Sequence, residues 1–311
     1  MERKKSRFPL IMLLIAVIMA GSYPAVQHVL GATDSEHAAA VFSGSFFETD
    51  PSFGKSAELP AEKVSGTSPD GTEPVRVADI RDTGLLALVN LDHPVRDPLC
   101  ADAVVPAFRV VALATADIMM HPEALDAVKA LFAAARAAGF DNLFVSSGYR
   151  DADKQKQLYD TAADRSYVQP PGHSEHQLGL AADILITGIA QDDMAAAPEG
   201  QWLIRNAWRY GFLLRYPEGK SELTGIVYEP WHFRYVGQPH AQYCHENGLC
   251  FEEYIQFLRQ NRGYSLTLDK TTYSVFYETP KDGIINVPAK GDYRVSGDNT
   301  GGYIVELSVE S

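Results

Sequence analysis

The stretch GHSEHQLGLAADI, residues 172–184, constrains the fold most, because it runs from a polar turn directly into an apolar strand. It places His173, His176 and Asp183 within eleven positions. Imidazole and carboxylate groups so close together are typical of a metal site. They equally suit a polar turn with loop histidines and an aspartate that caps the end of a strand. The stretch alone leaves both interpretations open.

A second motif, EPWHFRY at residues 229–235, favours the metal interpretation. Catalytic zinc takes three nitrogen or oxygen ligands from the protein and keeps a fourth position open. His176, Asp183 and His232 would supply two imidazoles and one carboxylate. Glu229 lies three residues before His232, where a carboxylate can act as a general base. Pro230 disfavours a helix at Glu229, so this is not the helical HExxH zinc motif.

The pattern along the chain predicts an α+β fold. Apolar residues at helical spacing, with Pro122 before them and Gly139 after them, indicate a helix, and Asp151 suits the N-cap of another. The segments EGQWLIRNAWRYGF and FEEYIQFLRQN predict two more helices. Strands are expected in GLLALVNLDHPV, LFVSSGY, LGLAADILI and IVYEPWHFRYVG. From Tyr264 onward, short alternating runs between turns predict an all-β tail.

The N-terminus MERKKSRFPLIMLLIAVIMAG has a basic start and an apolar run, the layout of a secretory signal. Residues 1–32 are therefore expected to be a signal or membrane anchor; both stay open, and the missing cleavage triplet favours an anchor. The body would then lie outside the cytoplasm. Residues 33–82 are predicted to be a flexible linker, 83–262 the catalytic domain and 263–311 a small β appendage.

Charge and cysteine content exclude other classes of protein. The formal net charge of -13 argues against a nucleic-acid binder, which would show a basic face. The three cysteines are Cys100, Cys244 and Cys250, and no Cys-x-x-Cys occurs, so a thiolate zinc cluster is not expected. In an oxidising compartment one pair could bridge and leave an odd thiol.

The motifs resemble a known family. SEHQLGLAAD fits the Ser-x-His-x-x-Gly-x-Ala-x-Asp pattern, and EPWH the Glu-x-x-His pattern, of the LAS zinc metallopeptidases of peptidase family M15. SSGYRDADKQ, PPGHSEHQLGLAADI and YEPWHFRYVG are most similar to the VanY-type D-alanyl-D-alanine carboxypeptidases, and the resemblance covers about residues 84–310. It implies an LAS/Hedgehog-like domain with a central antiparallel sheet flanked by helices, plus the β tail.

The resemblance also implies roles for single residues. His176, Asp183 and His232 match the Zn²⁺ ligands, and Glu229 matches the catalytic base. Arg150 matches the arginine that stabilises the oxyanion and holds the substrate. The positions that contact the substrate's terminal residue and carboxylate in related enzymes correspond to Gln155 and Ser174. Ala181-Ala182 replaces bulkier or hydroxyl residues of some relatives, a change that could alter the packing behind Asp183.

The implied function is hydrolysis of the terminal D-Ala-D-Ala bond of peptidoglycan stem pentapeptides or their precursors, with a contribution to glycopeptide (vancomycin) resistance as a hypothesis. An L,D-carboxypeptidase or a D,D-dipeptidase on the same scaffold is the alternative enzyme. A non-catalytic, zinc-stabilised cell-wall-binding module is the alternative without catalysis. Arg150 and Glu229, which such a module would not need, argue against it. His173, Trp231 and Tyr235 are expected to be loop or pocket-wall residues, and His121, His240 and His245 structural or surface histidines.

Overall fold

The computed structural model of the protein describes residues 71–80, 82–96 and 103–310. The strands are β1 (Thr72–Arg76), β2 (Val105–Pro106), β3 (Met119–Met120), β4 (Leu143–Ser147), β5 (Ala181–Ile186), β6 (Phe212–Leu214), β7 (His232–Tyr235), β8 (Gly263–Leu268), β9 (Thr271–Glu278), β10 (Ile284–Pro288), β11 (Asp292–Gly297) and β12 (Tyr303–Glu310). The helices are α1 (Pro122–Ala137), α2 (Ala152–Thr161), α3 (Pro198–Asn206), α4 (Ser221–Thr224), α5 (Gln238–Glu246) and α6 (Phe251–Asn261). Helices and antiparallel sheets confirm the predicted α+β class.

The central sheet is four-stranded and antiparallel, with the strand order β4-β5-β7-β6. Its apolar residues, among them Ile184 and Phe233, share one core with the inner face of α1, including Val128 and Leu131. Ala181 and Ala182 are fully buried in β5, opposite Arg234 and Phe233 of β7. The two small side chains thus face large ones across the sheet.

The predicted helices are confirmed, together with their end signals. Pro122 occupies the first turn of α1, and His121 Nδ1 accepts a hydrogen bond from the Glu123 amide at 3.3 Å. Asp151 caps α2 by accepting from the Lys154 amide at 2.7 Å. Gly211, with φ of 82°, ends the 3₁₀ turn that follows α3, as left-handed glycines commonly end helices.

The strand predicted at Gly84–Val95 is wrong, because this segment has turns and irregular backbone in place of a strand. Several of its carbonyl groups accept hydrogen bonds from side chains and not from a neighbouring strand. Arg234 Nη2 donates to Leu85 O at 2.9 Å and to Ala87 O at 3.0 Å. Since these groups are satisfied without a ladder, the apolar residues pack inward from an irregular segment.

The strand predicted in IVYEPWHFRYVG is shorter than expected, since β7 contains only His232–Tyr235. The residues before it form a turn in which the His232 amide donates to Glu229 O at 3.2 Å. Pro230 within this turn cannot donate to a ladder, which explains why pairing begins only at His232.

The tail confirms the predicted all-β appendage. Strands β8 to β12 contribute to a four-stranded sheet of order β11-β12-β9-β8 and to a two-stranded sheet in which β10 pairs with β1. This pairing corrects part of the predicted linker, because Thr72–Arg76 is a strand and Val77–Asp79 a 3₁₀ turn. The segment needs little apolar periodicity, since its backbone pairs with β10 and only Val75, Val77 and Ile80 pack on the small core beneath. The other domain boundaries stay predictions.

The body that precedes the tail and the appendage share a core. Tyr264, Tyr277 and Ile304 of the tail belong to the same buried cluster as Phe251 and Tyr254 of α6. His240 Nε2, in α5, lies 2.9 Å from Glu306 Oε2 in β12. The appendage is therefore packed onto the body and does not stand apart from it.

Several sequence predictions lie outside the described residues, including the signal or anchor at 1–32 and Cys100. Within the described residues, none of the helices has the length and apolar character needed to cross a membrane. Cys244 and Cys250 are buried and carry free thiols.

Candidate active site

The sheet and one short turn bring the three predicted metal ligands together. Asp183 in β5 pairs directly with His232 in β7, so their side chains lie on the same face of the sheet. His176 comes from the 3₁₀ turn Glu175–Leu178, which ends at Gly179 with a left-handed φ of 64°. One ligand atom from each of the three residues lies within 4.8 Å of the other two.

The orientation of His176 is fixed by the backbone beside it. His176 Nδ1 lies 2.6 Å from the Gly148 carbonyl oxygen, which can only accept, so Nδ1 is the donor. A side chain at position 148 would clash with the Met119 carbonyl oxygen, so glycine permits this turn to pack closely against β3. The other nitrogen, Nε2, is left as an acceptor and points 3.3 Å from Asp183 Oδ2.

Two acceptors that face each other without a proton between them fit a bound cation. His176 Nε2 faces Asp183 Oδ2 at 3.3 Å and has no hydrogen-bond partner within the described chain, and the other oxygen, Asp183 Oδ1, which faces His232, is likewise buried without one. Burial and the charge of Arg150 lower the pKa of His176 to about 4, which keeps this imidazole neutral. Burial tends to raise the pKa of Asp183, but the two histidines hold it well below its usual range. The donor set of neutral imidazole and ionised carboxylate is one that zinc accepts.

The two ring nitrogens of His232 face different sets of carboxyl groups. Its Nδ1 lies 3.0 Å from Asp183 Oδ1 and 3.6 Å from Glu229 Oε2. Its Nε2 lies 3.7 Å from Glu175 Oε2. Nδ1 is therefore the nitrogen on the side of the other two candidate ligands, and Nε2 points away from them.

Glu229 is held beside the ligand set by the turn before β7. Its amide donates to Tyr216 O at 3.1 Å, and the residue is 4% exposed. Burial, reinforced by the charge of Asp183 and opposed by His232 and Arg150, raises the pKa of Glu229 to about 8. A carboxyl group with this environment can both release and hold a proton near neutral pH.

Arg150 lies in the turn between β4 and α2, and its amide donates to His176 O at 3.1 Å. Its Nε is buried and has no partner within the described chain. Burial lowers the pKa of Arg150, while Asp183, Glu229 and Tyr216 act to raise it. The guanidinium group is thus near the carboxylates of the site and retains unused donor capacity.

The two remaining predicted site residues are also buried. Gln155 lies on α2, and its Nε2 donates to Gln169 O at 2.6 Å. Ser174 precedes the turn that contains His176. Gln155 Oε1 and both side-chain polar atoms of Gln169 are buried without a partner in the described chain.

The histidines and aromatic residues for which the sequence predicts no catalytic role make structural contacts. His173 Nδ1 lies 2.9 Å from Asn90 O in a loop. Trp231 stacks on Tyr167 with ring centroids 6.2 Å apart, and Tyr235 packs edge-on against Phe212. His240 is buried between the body and the appendage.

Sequence reasoning missed a buried ionic cluster behind His232, formed by Glu175, Arg215, Arg234 and Glu252. Glu175 Oε1 accepts from Arg215 Nε and from Arg234 Nη1, each at 2.7 Å. Despite burial, which raises it, the two guanidinium groups hold the pKa of Glu175 well below its usual range. The available signal was the pair of arginines inside the apolar runs FLLRY and HFRY, where a strand would bury a charge that needs a partner.

Comparison with known proteins identifies the family. The family model described as "VanY: D-alanyl-D-alanine carboxypeptidase" matches residues 117–238. A D-alanyl-D-alanine carboxypeptidase of Enterococcus faecium is 37% identical over 250 residues, which cover 78% of this chain and 81% of the relative. The chain belongs to the VanY family.

Solved structures support the VanY fold. A vancomycin-resistance D,D-dipeptidase, VanXYg, solved with a D-Ala-D-Ala phosphinate analog, superposes with a TM-score of 0.67 at 32% identity, covering 77% of this chain and 99% of that chain. The LD-carboxypeptidase LdcB superposes with a TM-score of 0.51 at 35% identity, covering 55% of this chain and 86% of that one. The LAS-type zinc peptidase fold expected from the motifs is confirmed.

Proposed function

We propose that the protein is a zinc-dependent D,D-carboxypeptidase that removes the terminal D-alanine from peptidoglycan stem pentapeptides or their precursors. The observation that carries this proposal is the meeting of His176, Asp183 and His232 in a buried site, with Glu229 beside them, in a chain of the VanY family. A binding module would need the ligands but not a buried carboxyl group next to them.

Zn²⁺ held by these three residues would supply a Lewis acid that polarises the scissile carbonyl group and lowers the pKa of water. Glu229 takes a proton from the attacking water as the C–O bond forms, and it then delivers this proton to the nitrogen of the departing D-alanine as the C–N bond breaks. Its burial keeps the proton within the site between the two steps.

Arg150 places a permanent positive charge near the reacting carbonyl group. Its unpaired Nε is free to hydrogen-bond the oxygen on which negative charge develops or the substrate carboxylate. Arginine suits this position because its planar donors have a fixed geometry that lysine lacks.

Gln155 and Ser174 are proposed to contact the substrate's terminal residue. Because the Gln169 carbonyl group can only accept, the atom of Gln155 that faces it must be the amide nitrogen. The atom left over is Oε1, an acceptor, which suits a substrate N–H better than a carboxylate. The unpaired side-chain amide of Gln169 offers both a donor and an acceptor next to it.

We further propose that the enzyme acts on the extracytoplasmic face of the cell membrane, either anchored there by its N-terminal segment or secreted. The basic and apolar pattern of residues 1–32 and the location of peptidoglycan support this location. Shortening the stem peptide would remove the D-Ala-D-Ala end, and this is the proposed contribution to glycopeptide resistance.

A second candidate activity is D,D-dipeptidase or L,D-carboxypeptidase. The similarity to VanXYg and to LdcB favours considering it, since both share this scaffold. The substrates differ in size and in the configuration of the cleaved bond, so one substrate panel separates the three activities.

The experiment is an assay of the zinc-loaded, full-length protein on a stem pentapeptide, the matching tetrapeptide and the dipeptide D-Ala-D-Ala, with mass detection of the products. The proposed function predicts loss of one alanine from the pentapeptide and slow or no cleavage of the other two. Fastest cleavage of the dipeptide would indicate the dipeptidase, and fastest cleavage of the tetrapeptide the L,D-carboxypeptidase.

A further inference from the structure

His232 directs Nδ1 toward the metal site, and the contacts of its other ring nitrogen, Nε2, decide whether it keeps this orientation. A half-turn of an imidazole about Cβ–Cγ exchanges Nδ1 with Cδ2 and Nε2 with Cε1, and the ring proton can lie on either nitrogen, unless partners fix both. Its Nε2 faces Glu175 Oε2 at 3.7 Å, and neither atom has another partner within the described chain. The separation of 3.7 Å is longer than a hydrogen bond, so Glu175 Oε2 is the acceptor that faces Nε2 without being bonded to it in this structure.

Glu175 is rigid enough to act as that partner. Its other oxygen, Oε1, accepts hydrogen bonds from two guanidinium groups, those of Arg215 and Arg234. Each arginine is in turn fixed elsewhere: Arg215 donates to both oxygens of Glu252 at 2.9 and 2.7 Å, and Arg234 donates to Leu85 O at 2.9 Å. The carboxylate therefore cannot turn away from His232.

The charges of the cluster also leave one carboxylate oxygen for the histidine. Two carboxylates and two guanidinium groups balance within the cluster, so an N–H of His232 can face Glu175 Oε2 without meeting an unpaired guanidinium charge. A neutral imidazole that donates from Nε2 must present a lone pair at Nδ1, on the side of His176 and Asp183.

We propose that Glu175 is a positioning residue that holds His232 with Nδ1 directed into the metal site. Carboxylates that accept a hydrogen bond from a metal-binding histidine fix its tautomer and raise its basicity, and their loss weakens metal binding about 10- to 100-fold. This inference rests on the zinc site of the proposed function. Part of the metal affinity then comes from Glu175, a residue that does not touch the metal.

The first test compares zinc affinity in two variants by competition with a chelator, using the full-length protein. Glu175→Gln places an amide N–H against the Nε2–H of His232, donor against donor, and is expected to weaken zinc binding about 10- to 100-fold. Glu252→Gln is the matched control: it removes the same charge from the same network but does not face His232. The control is expected to lower thermal stability while zinc affinity stays close to that of the parent.

The second test needs no variant and decides the matter if Glu175→Gln fails to fold. In the parent protein loaded with ¹¹³Cd²⁺ and labelled with ¹⁵N-histidine, the metal coupling is expected at Nδ1 of His232, with Nε2 protonated. Coupling at Nε2 of His232, or zinc affinity unchanged in a folded Glu175→Gln variant, would overturn this role alone. A parent protein that binds no zinc would overturn the metal site as well.

Discussion

Replacing Glu229 by glutamine separates an enzyme from a zinc-binding module. The variant keeps the size of the side chain and one carbonyl oxygen, but it cannot carry a proton. Since Glu229 is buried beside His232 and no side-chain hydrogen bond of the described residues holds it in place, the change removes little besides proton transfer.

The expected loss follows from that role. A positioned acid-base group contributes about 10² to 10⁴ in rate. At about 1.36 kcal/mol per factor of ten, this corresponds to roughly 3–5 kcal/mol of transition-state stabilisation. The loss should appear in kcat, with KM and zinc content close to those of the parent. Thermal stability of the metal-free variant at pH 7 should be equal or higher, because the raised pKa of Glu229 means that folding must supply this group with a proton, a cost that neutral glutamine does not carry.

The assay is release of D-alanine from a stem pentapeptide under saturating substrate, with zinc content measured on the same samples. Glu222→Gln, an exposed change on α4, is the control and is expected to turn over like the parent. Turnover of Glu229→Gln within a few-fold of the parent would refute the assignment of Glu229 as the base. A variant that loses zinc together with activity would show that Glu229 supports the metal site instead.

Three further predictions concern other parts of the structure. Arg150→Lys should keep zinc but lose about 10²- to 10³-fold in kcat, measured on the pentapeptide, because lysine cannot reproduce the donor geometry; turnover near that of the parent would exclude this role. A chain that begins at residue 71 should melt at a higher temperature than one that begins at 83, since only the longer one retains β1 against β10; equal melting temperatures would contradict this. Burial raises the pKa of Glu306, but the hydrogen bond and charge of His240 and the charge of Arg294 outweigh it and hold that pKa below its usual value. The stability that ionised Glu306 contributes through these interactions is present above about pH 4.5, the ordinary glutamate value, and is lost as the pH falls through the lowered pKa. Glu306→Gln should therefore lower the melting temperature at pH 7 and flatten its fall in acid, and an unchanged acid profile would count against the link between β12 and α5.

The sequence predicted the local elements that have clear end signals. Pro122, Asp151 and Gly211 mark helix boundaries through backbone geometry, which depends on neighbouring residues only. The strand predicted at Gly84–Val95 does not form. The carbonyl groups of Leu85 and Ala87 accept hydrogen bonds from Arg234, a residue about 150 positions later in the chain. Local patterns carry no information about such distant partners.

Partners that are distant in the sequence also limited the prediction of the site. The motifs that contain His176, Asp183 and His232 predicted a metal site with Glu229 as the base, and the structure places the three residues together with Glu229 beside them. The buried cluster around Glu175 was not found, because its position between Ser174 and His176 looks like an ordinary solvated turn in the sequence. Only the strand pairing that places Arg234 in the interior shows that Glu175 must be buried and ionised.

One measurement on the full-length protein checks the zinc-dependent carboxypeptidase activity: mass detection of the products of a stem pentapeptide, with and without zinc. We expect the zinc-loaded protein to release a single D-alanine and leave a tetrapeptide, and a chelator to abolish the release. Release that survives complete removal of the metal, or intact pentapeptide after incubation with the zinc-loaded protein, would contradict it.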